Sequence, residues 1–502
     1  MASSIVSSNG RCYTQDCFRQ AVLHTKIHQV KDNCMGRFGV KYRFGLVLLL
    51  AIVVRLGCMV AFAPMLDFTL PGNAIHGSEA YDDYAQNLIE TGMYGRTPLD
   101  GSGEIVPDAA VPPLYSYALA VIYGLFGRGF VQVALFHIVL DAISLILLYD
   151  IGRRLFRQGS LWGVPTGEWV GLLGGLFFAV YPYLIFQNLT LIDTPFWIVW
   201  LHAFVWLVII LREQPALNAR TWGVAIAAGV VLGLSLLARP IMPFFAVFVA
   251  LWYLFRLSLW QTIARLLPVA LVGGLVLVPW IVRNYGLYDA FVPMTTTSGA
   301  NLWQGNSEWT IPVFKAGYDV QWTAPDTVAP RDTREADAER FALSMQFWRE
   351  NPDKLPELFW VKFLIHWSVD IAPRYNPQPN EAFQINDDGE LEIVRADGSI
   401  AGVTDANTSY DSGLLNTVGR PVHIVYFGGL LLLAILGTLL SIRIWREASL
   451  LWLVQISMTL VYVLFHSSTR YRAPSDPLLF LLSAYALVWL MQWVTARRSV
   501  AR

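Results

Sequence analysis

Charged side chains are scarce in this sequence, and the scarcity excludes an ordinary soluble domain. Asp, Glu, Lys and Arg make up 15% of the 502 residues, whereas 55% are hydrophobic. Soluble domains carry about 25% charged residues. The formal net charge is −1, so no overall field favours nucleic acid as a partner. Repeated apolar runs of about twenty residues, the length that crosses a bilayer core, predict a polytopic membrane protein.

Cysteine is also rare and shows no metal-site pattern. None of the four cysteines has a partner histidine at the spacing of a zinc site. A cleavable signal peptide is missing as well, because residues 1–40 are polar and the first apolar run begins near Phe44. Basic residues precede that run, which predicts a signal anchor with a cytoplasmic N-terminus.

Ten apolar runs are predicted to span the membrane. Two further runs, residues 113–127 and 357–370, are short for a bilayer core of roughly 30 Å. If neither crosses, the arginine-rich connections share one side, which the positive-inside rule places in the cytoplasm. The predicted fold is an all-α polytopic bundle of about 10–12 transmembrane helices. The ten runs are residues 44–64, 130–150, 168–186, 190–211, 222–238, 241–256, 265–282, 421–442, 448–466 and 475–494.

This topology divides the chain into cytoplasmic ends, membrane helices and outward loops. Loops longer than simple connectors are candidates for function. One outward loop contains NDDGELEIVRADGS, which predicts a small hairpin. The predicted segments are a cytoplasmic start 1–43, a transmembrane module 44–282 with a catalytic outward loop 65–112, outward loops 283–420 with an interfacial helix 357–370, transmembrane helices 421–494 and a cytoplasmic tail 495–502.

An acidic cluster follows the first predicted span. Glu79, Asp82 and Asp83 lie within five positions in HGSEAYDDYAQ, and helical spacing places them with Gln86 on one face. A carboxylate there can act as a general base towards an acceptor hydroxyl, or it can hold a divalent cation. The alternative is that these carboxylates form a solvated helix face and take no part in catalysis or metal binding.

Four stretches occur in a fixed order: YDDYAQNLIETGMYG, VPPLYSYALAVIYGLFG, PWIVRNYGLYDAFVPMTTTSGANLWQGN and STRYRAPSDPLLFLLSAYAL. Together they resemble bacterial members of the protein O-mannosyltransferase superfamily, the GT-C glycosyltransferases, whose members include aminoarabinose transferases acting on lipid A. The resemblance covers roughly residues 44–494. It implies a GT-C-type bundle with outward juxtamembrane helices and periplasmic loops.

The same resemblance implies an enzyme of the bacterial inner membrane whose active site faces outward. Such an enzyme moves a hexosyl or pentosyl group from a polyprenyl-phosphate donor to an envelope lipid, polysaccharide or protein, with inversion. The implied catalytic acid lies three or four residues before the tyrosine that matches Tyr81. Gly77 and Ser78 occupy those positions here. Glu79 is therefore the predicted base after a shift of one residue, and the two following aspartates are the alternatives.

Some members of this family use a metal ion, but a second acid at the expected place is missing here. No metal and no other cofactor is therefore predicted, although a divalent cation stays an open alternative.

The donor phosphate needs cationic partners at the outward membrane surface. Arginine suits this role because its planar fork binds two phosphate oxygens at once. Arg470 and Arg472 in STRYRAP, Tyr471 between them, Arg283 in VRNYG and Lys362 in FWVKFLIHW are the predicted phosphate-binding residues. Anchoring at the membrane interface is the alternative role for each of them.

Charges inside predicted spans are costly and need partners. Arg55 and Asp141 are predicted to pair and lock two helices, while Arg239 in LLARPIMP is a weaker phosphate candidate and Asp193 lies near an outward span end.

Two other classes of function compete with the enzyme. A transporter or flippase would gather its polar groups near the midplane, usually within related repeats, and no repeat is evident. A non-catalytic subunit of an envelope glycan pathway is the other alternative. Convergence of Glu79 with Arg470 or Arg472 on one outward cavity would favour the enzyme.

Overall fold

The computed structural model describes residues 39–40, 42–63, 79–97, 103–325, 327–329, 333–377, 381–401, 407–408 and 415–500. Most of the predicted cytoplasmic start, 1–43, lies outside these ranges. So do parts of the predicted first outward loop 65–112, and the last two residues of the predicted tail.

Long apolar helices dominate the described chain. Seven segments are long and apolar enough to cross a membrane, and one of them, Thr417–Leu464, contains two helices. The helices in chain order are α1 (Tyr42–Ala61), α2 (Glu79–Thr91), α3 (Pro113–Phe126), α4 (Phe130–Leu155), α5 (Thr166–Ala179), α6 (Pro182–Gln187), α7 (Thr194–Glu213), α8 (Ala219–Ala238), α9 (Met242–Leu254), α10 (Leu259–Tyr288), α11 (Ser298–Gln304), α12 (Thr310–Lys315), α13 (Arg334–Glu350), α14 (Leu355–His366), α15 (Arg420–Ser441), α16 (Trp445–Leu464), α17 (Thr469–Arg472) and α18 (Asp476–Val500).

Each predicted membrane run coincides with one or two of these helices, which confirms the all-α polytopic fold. α5 and α9 are shorter than the roughly 20 residues that a perpendicular span requires. The two short apolar runs form α3 and α14, of 14 and 12 residues. Both fall below the length of a full span, as predicted.

Small residues let neighbouring helices approach closely. A Cβ atom at Gly171 of α5 would lie 2.4 Å from the Tyr149 carbonyl oxygen of α4, and one at Gly233 of α8 would lie 2.5 Å from the Val276 Cβ of α10. Such close backbone contact is common where helices pack inside a membrane. This close packing fixes the positions of the helices that carry the polar groups.

One buried ion pair ties the first helix to this frame. The Arg55 Nε donates to Asp141 Oδ2 at 2.7 Å, and Arg55 Nη1 donates to the Ala179 carbonyl oxygen at 2.8 Å. Both side chains are almost completely buried. The predicted pairing of Arg55 with Asp141 is confirmed, and it joins α1 to α4 and α5.

The two ends of the bundle differ in their connections. One end, here called the cap end, carries α2, α3, α11 to α14 and several short strands. The opposite end, here called the arginine-rich end, has short connections. Its arginines are Arg153, Arg154, Arg157, Arg212, Arg256, Arg265, Arg443, Arg446, Arg497 and Arg498.

Short antiparallel strands complete the cap, and the predicted hairpin is present. β6 pairs with β7 from Glu381–Arg395 to Ile385–Leu391, and β7 pairs with β8. β5 pairs with β9 beside the membrane end of the cap. The strands are β1 (Gly95–Arg96), β2 (Val106–Pro107), β3 (Ser160–Leu161), β4 (Val164–Pro165), β5 (Tyr375–Asn376), β6 (Glu381–Ile385), β7 (Leu391–Arg395), β8 (Ile400–Ala401) and β9 (Asn407–Thr408). Of these, β3 and β4 lie in the connection between α4 and α5, at the arginine-rich end.

Candidate functional site

The acidic cluster lies at the start of α2, as the sequence predicts. Glu79 is the first residue of that helix, and its side chain lies outside what the structure describes. Asp82 is buried and accepts hydrogen bonds from Tyr123 Oη at 2.7 Å and from Arg128 Nη2 at 2.6 Å. A third donor, Gln86 Nε2, lies at 2.9 Å. Asp82 therefore holds α2 against α3.

Asp83 also has internal partners. It accepts from the Thr97 backbone N–H at 2.9 Å and from Thr97 Oγ1 at 2.8 Å. These contacts hold the chain after β1 against α2. Neither Asp82 nor Asp83 lines the cavity described next.

A cavity of about 280 Å³ lies between the bundle and the cap. Its walls come from α6, the start of α15, α17 and the segments around residues 319–321 and 370–376. Three arginines but only two aspartates line it, so the ionised side chains leave one positive charge in excess, with histidine counted as neutral. The charged residues and one tyrosine of the wall are Asp319, Asp370, Arg374, Arg420, Arg470 and Tyr471.

Arg470 is an arginine of the wall with unused hydrogen-bonding capacity. No hydrogen bond to Arg470 is present in the described chain, and its Nε is buried without a partner. About a third of its side chain, 32%, is exposed. Its nearest carboxylate oxygen, Asp193 Oδ1, lies 3.9 Å from Nη2, which is beyond hydrogen-bonding distance.

Asp193 is already occupied by another arginine. Arg239 donates from Nε to Asp193 Oδ2 at 2.6 Å and from Nη2 to Asp193 Oδ1 at 2.7 Å, both buried. This two-point pairing is the strong geometry for arginine and carboxylate. One carboxylate therefore faces two guanidinium groups, and the trio of Asp193, Arg239 and Arg470 carries a net charge of +1.

The first turn of α2 reaches this trio through Tyr81. Burial raises the pKa of the Tyr81 phenol, and the charge of Asp193 raises it further, whereas Arg239 and Arg470 act in the opposite direction. The Tyr81 ring packs edge-on against Tyr115 at 5.1 Å. Glu79, the predicted base, stands two positions before Tyr81 in the same helical turn.

Tyr471 lies next to Arg470 on the same wall. Its ring stacks on Tyr462 with centroids 4.8 Å apart, and the Arg470 guanidinium carbon lies 5.9 Å from the Tyr471 ring centroid. The predicted pair of Arg470 and Tyr471 is thus brought together at the cavity.

Arg472 takes a different position, two residues further along. It is fully buried, and its Nε donates to Asp476 Oδ1 at 3.1 Å. Its Nη1 donates to the carbonyl oxygens of His366 and Ser368, at 3.1 and 2.6 Å. Arg472 does not line the cavity and instead joins α14, α17 and α18.

Lys362 and Arg283 also have internal partners. Lys362 is fully buried, and its Nζ donates to the Gly305 carbonyl oxygen and Asn306 Oδ1, both at 2.8 Å. Burial lowers the pKa of the Lys362 amine well below its ordinary value. Arg283 donates to the carbonyl oxygens of Asp108 and Tyr94, both at 2.6 Å. Neither cation lines the cavity.

The cavity wall also holds groups that the sequence did not single out. Asp370 accepts from Arg420 Nε through both carboxylate oxygens at 2.9 Å. Burial raises the pKa of Asp370, but the hydrogen bonds from Arg420 outweigh it and leave the pKa below its ordinary value. Asp319 accepts from His466 Nε2 at 3.1 Å. His466 stands two residues before the STRYRAP motif in HSSTRYR, which is the one local signal for it.

No described group of three or more His, Cys, Asp or Glu side chains is arranged to hold a metal ion. Fold and site together define a polytopic membrane protein with a positively charged cavity at the cap end of its bundle.

Comparison with known proteins gives a family match over part of the chain. Residues 110–282, about a third of the chain, match the family model described as dolichyl-phosphate-mannose-protein mannosyltransferase. The matched segment includes Asp193 and Arg239 but neither Arg470 nor Asp319. None of the curated proteins matches the chain.

Solved structures share the fold at low sequence identity. An apo oligosaccharyltransferase from Archaeoglobus fulgidus aligns with a TM-score of 0.52 and 13% identity, over 92% of this chain and 52% of that one. The Archaeoglobus fulgidus oligosaccharyltransferase AglB, in complex with an inhibitory peptide and a dolichol-phosphate, gives a TM-score of 0.50, 13% identity and the same coverages. This chain therefore spans about half the length of these relatives.

ArnT from Cupriavidus metallidurans in the apo state is also similar, with a TM-score of 0.37 and 11% identity, over 90% of this chain and 77% of that one. The family match covers residues 110–282, and the shared oligosaccharyltransferase fold confirms the GT-C-type bundle. Both findings agree with the resemblance that the four motifs carry.

Proposed function

We propose that the protein transfers a sugar from a polyprenyl-phosphate carrier to a hydroxyl group of an envelope acceptor, and that the donor phosphate binds at Arg470. One observation carries the proposal: a partly exposed guanidinium with no hydrogen bond to the described residues lies on the wall of a positively charged cavity. Leaving a partly buried cation without a hydrogen-bond partner costs free energy, which a bound anion would recover.

The charge of the cluster suits a single phosphodiester. Asp193, Arg239 and Arg470 sum to +1, and a polyprenyl-phosphate sugar carries −1. Charge builds on the leaving phosphate as the glycosidic bond breaks, and a preorganised arginine stabilises that developing charge. Arg239 keeps its pairing with Asp193 and contributes to the field, while Tyr471 forms the adjoining wall.

The reaction that fits one anion site is a single displacement. The acceptor oxygen attacks the anomeric carbon opposite the phosphate, so the configuration inverts. A carboxylate must take the hydroxyl proton. Glu79 stays the sequence-based prediction for that base, because Asp82 and Asp83 are engaged in holding α2. Arg472, Arg283 and Lys362 are assigned supporting roles through the contacts described above.

The proposed setting is the bacterial inner membrane, with the cap end outward. The arginine-rich end then faces the cytoplasm, in agreement with the positive-inside rule. Donor and acceptor meet outside the cell, where a polyprenyl phosphate supplies the leaving group without a nucleotide. The acceptor class comprises an envelope lipid, a polysaccharide or a protein, and no metal is assigned to the reaction.

The distribution of polar groups favours an enzyme over a carrier. A transporter would place its substrate site near the midplane, in broken helices of related repeats. Here the cavity and its charges lie at the cap end. A non-catalytic subunit would need no anion site of this kind.

The test is to delete the gene and compare envelope lipids, glycans and glycoproteins by mass spectrometry. We expect one glycosylated product to disappear and to return with the wild-type gene. Arg470→Ala should fail to restore it, and Arg470→Lys should restore only part, because an ammonium cannot reproduce the planar fork. An unchanged envelope in the deletion strain, or full restoration by Arg470→Ala, would contradict the proposal.

A further inference from the structure

Two buried polar side chains on the cavity wall have hydrogen-bonding atoms without partners. Gln187 and His423 both line the cavity, and they are only 4 and 2% exposed. Gln187 Oε1 and both ring nitrogens of His423 are buried and have no hydrogen bond to a described residue. Buried polar atoms are nearly always paired. The unpaired atoms therefore indicate a ligand that enters the cavity and completes their hydrogen bonds.

Packing holds both groups in place without using these polar atoms. Gln187 is the last residue of α6, and its carbonyl oxygen accepts from Thr190 Oγ1 at 2.8 Å. His423 belongs to the first turn of α15. Its ring stacks on those of Tyr181 and Phe427, with centroids 5.8 and 6.0 Å away. A ligand would therefore meet two polar groups that are already oriented.

The chemistry of the two groups indicates a neutral partner that both donates and accepts. A buried histidine without a hydrogen-bonded carboxylate is neutral, so His423 offers one N–H and one acceptor nitrogen. The amide of Gln187 also offers donors and an acceptor. A hydroxyl group matches both, because it donates and accepts as well. The apolar tail of a polyprenyl carrier would instead leave these atoms unpaired, at a cost in free energy.

Aromatic side chains accompany the two polar groups on the cavity wall. Tyr183 and Phe186 belong to α6 and line the cavity, and the Tyr183 ring centroid lies 5.7 Å from that of His423. The electron-rich face of an aromatic ring attracts the partly positive C–H groups of a ligand. A sugar has C–H groups on the faces of its ring and hydroxyl groups around its edge. Aromatic walls with a few placed polar groups therefore suit it.

The position of the proposed phosphate site indicates which sugar this is. Arg470 lines the same cavity. In a polyprenyl-phosphate donor the sugar is bonded directly to the phosphate, so a phosphate at Arg470 brings the donor sugar into this cavity. The charged group then suits the phosphate, and the two neutral groups suit the sugar.

We propose that Gln187 and His423 bind hydroxyl groups of the donor sugar, and that Tyr183 and Phe186 pack against its ring. The inference rests on the proposed function and adds the residues that select the sugar. A site built to hydrogen-bond a hydroxyl group of its substrate rejects a ligand that lacks it, because the polar groups of the site are then left unpaired. The protein should therefore prefer a glycosylated carrier to the bare polyprenyl phosphate.

The test measures which carriers the purified full-length protein retains. Immobilised protein is exposed to a lipid extract of the deletion strain, in which unused donor should accumulate, with undecaprenyl phosphate added. Mass spectrometry gives the ratio of glycosylated to bare carrier among the retained lipids. We expect wild type to enrich a glycosylated carrier. His423→Phe and Gln187→Leu keep bulk but lose the polar atoms, so each should lower the ratio about 2- to 10-fold.

A second histidine provides the matched control. His366 is also buried with both ring nitrogens unpaired, but it does not line the cavity. His366→Phe should therefore keep the wild-type ratio. His423→Gln replaces the imidazole with a group that still donates and accepts, so it should retain more of the ratio than His423→Phe. An equal fall in His366→Phe and His423→Phe would reveal a general packing effect and overturn the inference.

The outcomes separate this inference from the proposed function. If Arg470→Ala retains both carriers as wild type does, the proposed function fails. If Arg470→Ala loses both carriers but His423→Phe and Gln187→Leu keep the wild-type ratio, the inference alone fails. It also fails if wild type enriches no glycosylated carrier.

Two further results would assign the polar groups to another ligand. Loss of bare undecaprenyl phosphate by His423→Phe and Gln187→Leu would indicate contact with the phosphate or the lipid tail. Loss of the envelope product at an unchanged ratio would indicate contact with the acceptor. Either result overturns the inference. Melting temperatures in detergent identify a variant that does not fold, and the remaining variants at these two positions then decide.

Discussion

At the arginine-rich end of the bundle, Arg154 and Arg157 pair with a carboxylate at the surface, whereas at the cap end Arg239 pairs with one in the interior. Arg154 and Arg157 both contact Glu213, and all three side chains are partly exposed, between 21 and 59%. Arg239 and Asp193 at the cap end are 8 and 2% exposed. Exposed pairs contribute little to stability, while a buried charge must be compensated.

The difference separates arginines that only orient the protein in the membrane from arginines that have a further role. The surface arginines of the arginine-rich end fit the positive-inside rule, which requires no particular partner for them. Most cap-end arginines donate at least two hydrogen bonds to protein groups, as Arg472 and Arg420 do. Arg470 departs from this pattern, as Arg374 does, and both line the cavity wall.

Removal of a buried cap-end cation gives the largest expected effect. Arg472→Ala leaves Asp476 buried without its partner, which should cost about 3–5 kcal/mol of folding free energy. The measurement is the yield and melting temperature of purified protein in detergent. Arg497→Ala, which replaces an exposed arginine near the far end of α18, is the matched control and should melt like wild type. Equal melting temperatures for both variants would remove the distinction between the ends.

The clamp on α2 should give the next largest effect. Asp82→Ala removes the acceptor of Tyr123 and Arg128, and hydrogen bonds to a charged group contribute about 1.5–3 kcal/mol. The melting temperature should fall accordingly. Asp83→Ala should cost less, because its contacts with Thr97 are exposed. A larger loss with Asp83→Ala would show that α2 is held mainly by the chain after β1.

The arginine-rich end should give the smallest effect. Glu213→Gln weakens the pairs with Arg154 and Arg157, and exposed pairs of this kind are worth about 0–1 kcal/mol. We expect an unchanged Kd for undecaprenyl phosphate and a melting temperature close to wild type. A clear loss of donor affinity in this variant would show that charges at the arginine-rich end contribute to donor binding, which contradicts the assignment to the cap end.

The sequence predicted the helices well because hydropathy is a local property. All ten apolar runs form helices, and α2, α3 and α14 occur where short amphipathic or apolar stretches predicted them. The hairpin of β6 and β7 followed from the turn residues between its strands.

The site was harder to predict, because its contacts join residues far apart in the chain. Asp319 and His466 are separated by 147 positions, so no local spacing could pair them. Arg470 and Arg472 share one motif, but Arg470 lines the cavity whereas Arg472 pairs with Asp476. Tertiary packing decides this difference. The same holds for Asp82, whose partner Arg128 lies 46 positions away.

The central claim is that Arg470 binds the donor phosphate, and the most direct measurement is the Kd of the purified full-length protein for undecaprenyl phosphate. Loss of a charge-assisted hydrogen bond worth about 1.5–3 kcal/mol corresponds to an affinity about 10- to 150-fold weaker. Arg470→Ala should show this loss with an unchanged melting temperature, while Arg154→Ala at the other end should bind like wild type. An Arg470→Ala protein that binds undecaprenyl phosphate as tightly as wild type would contradict the account.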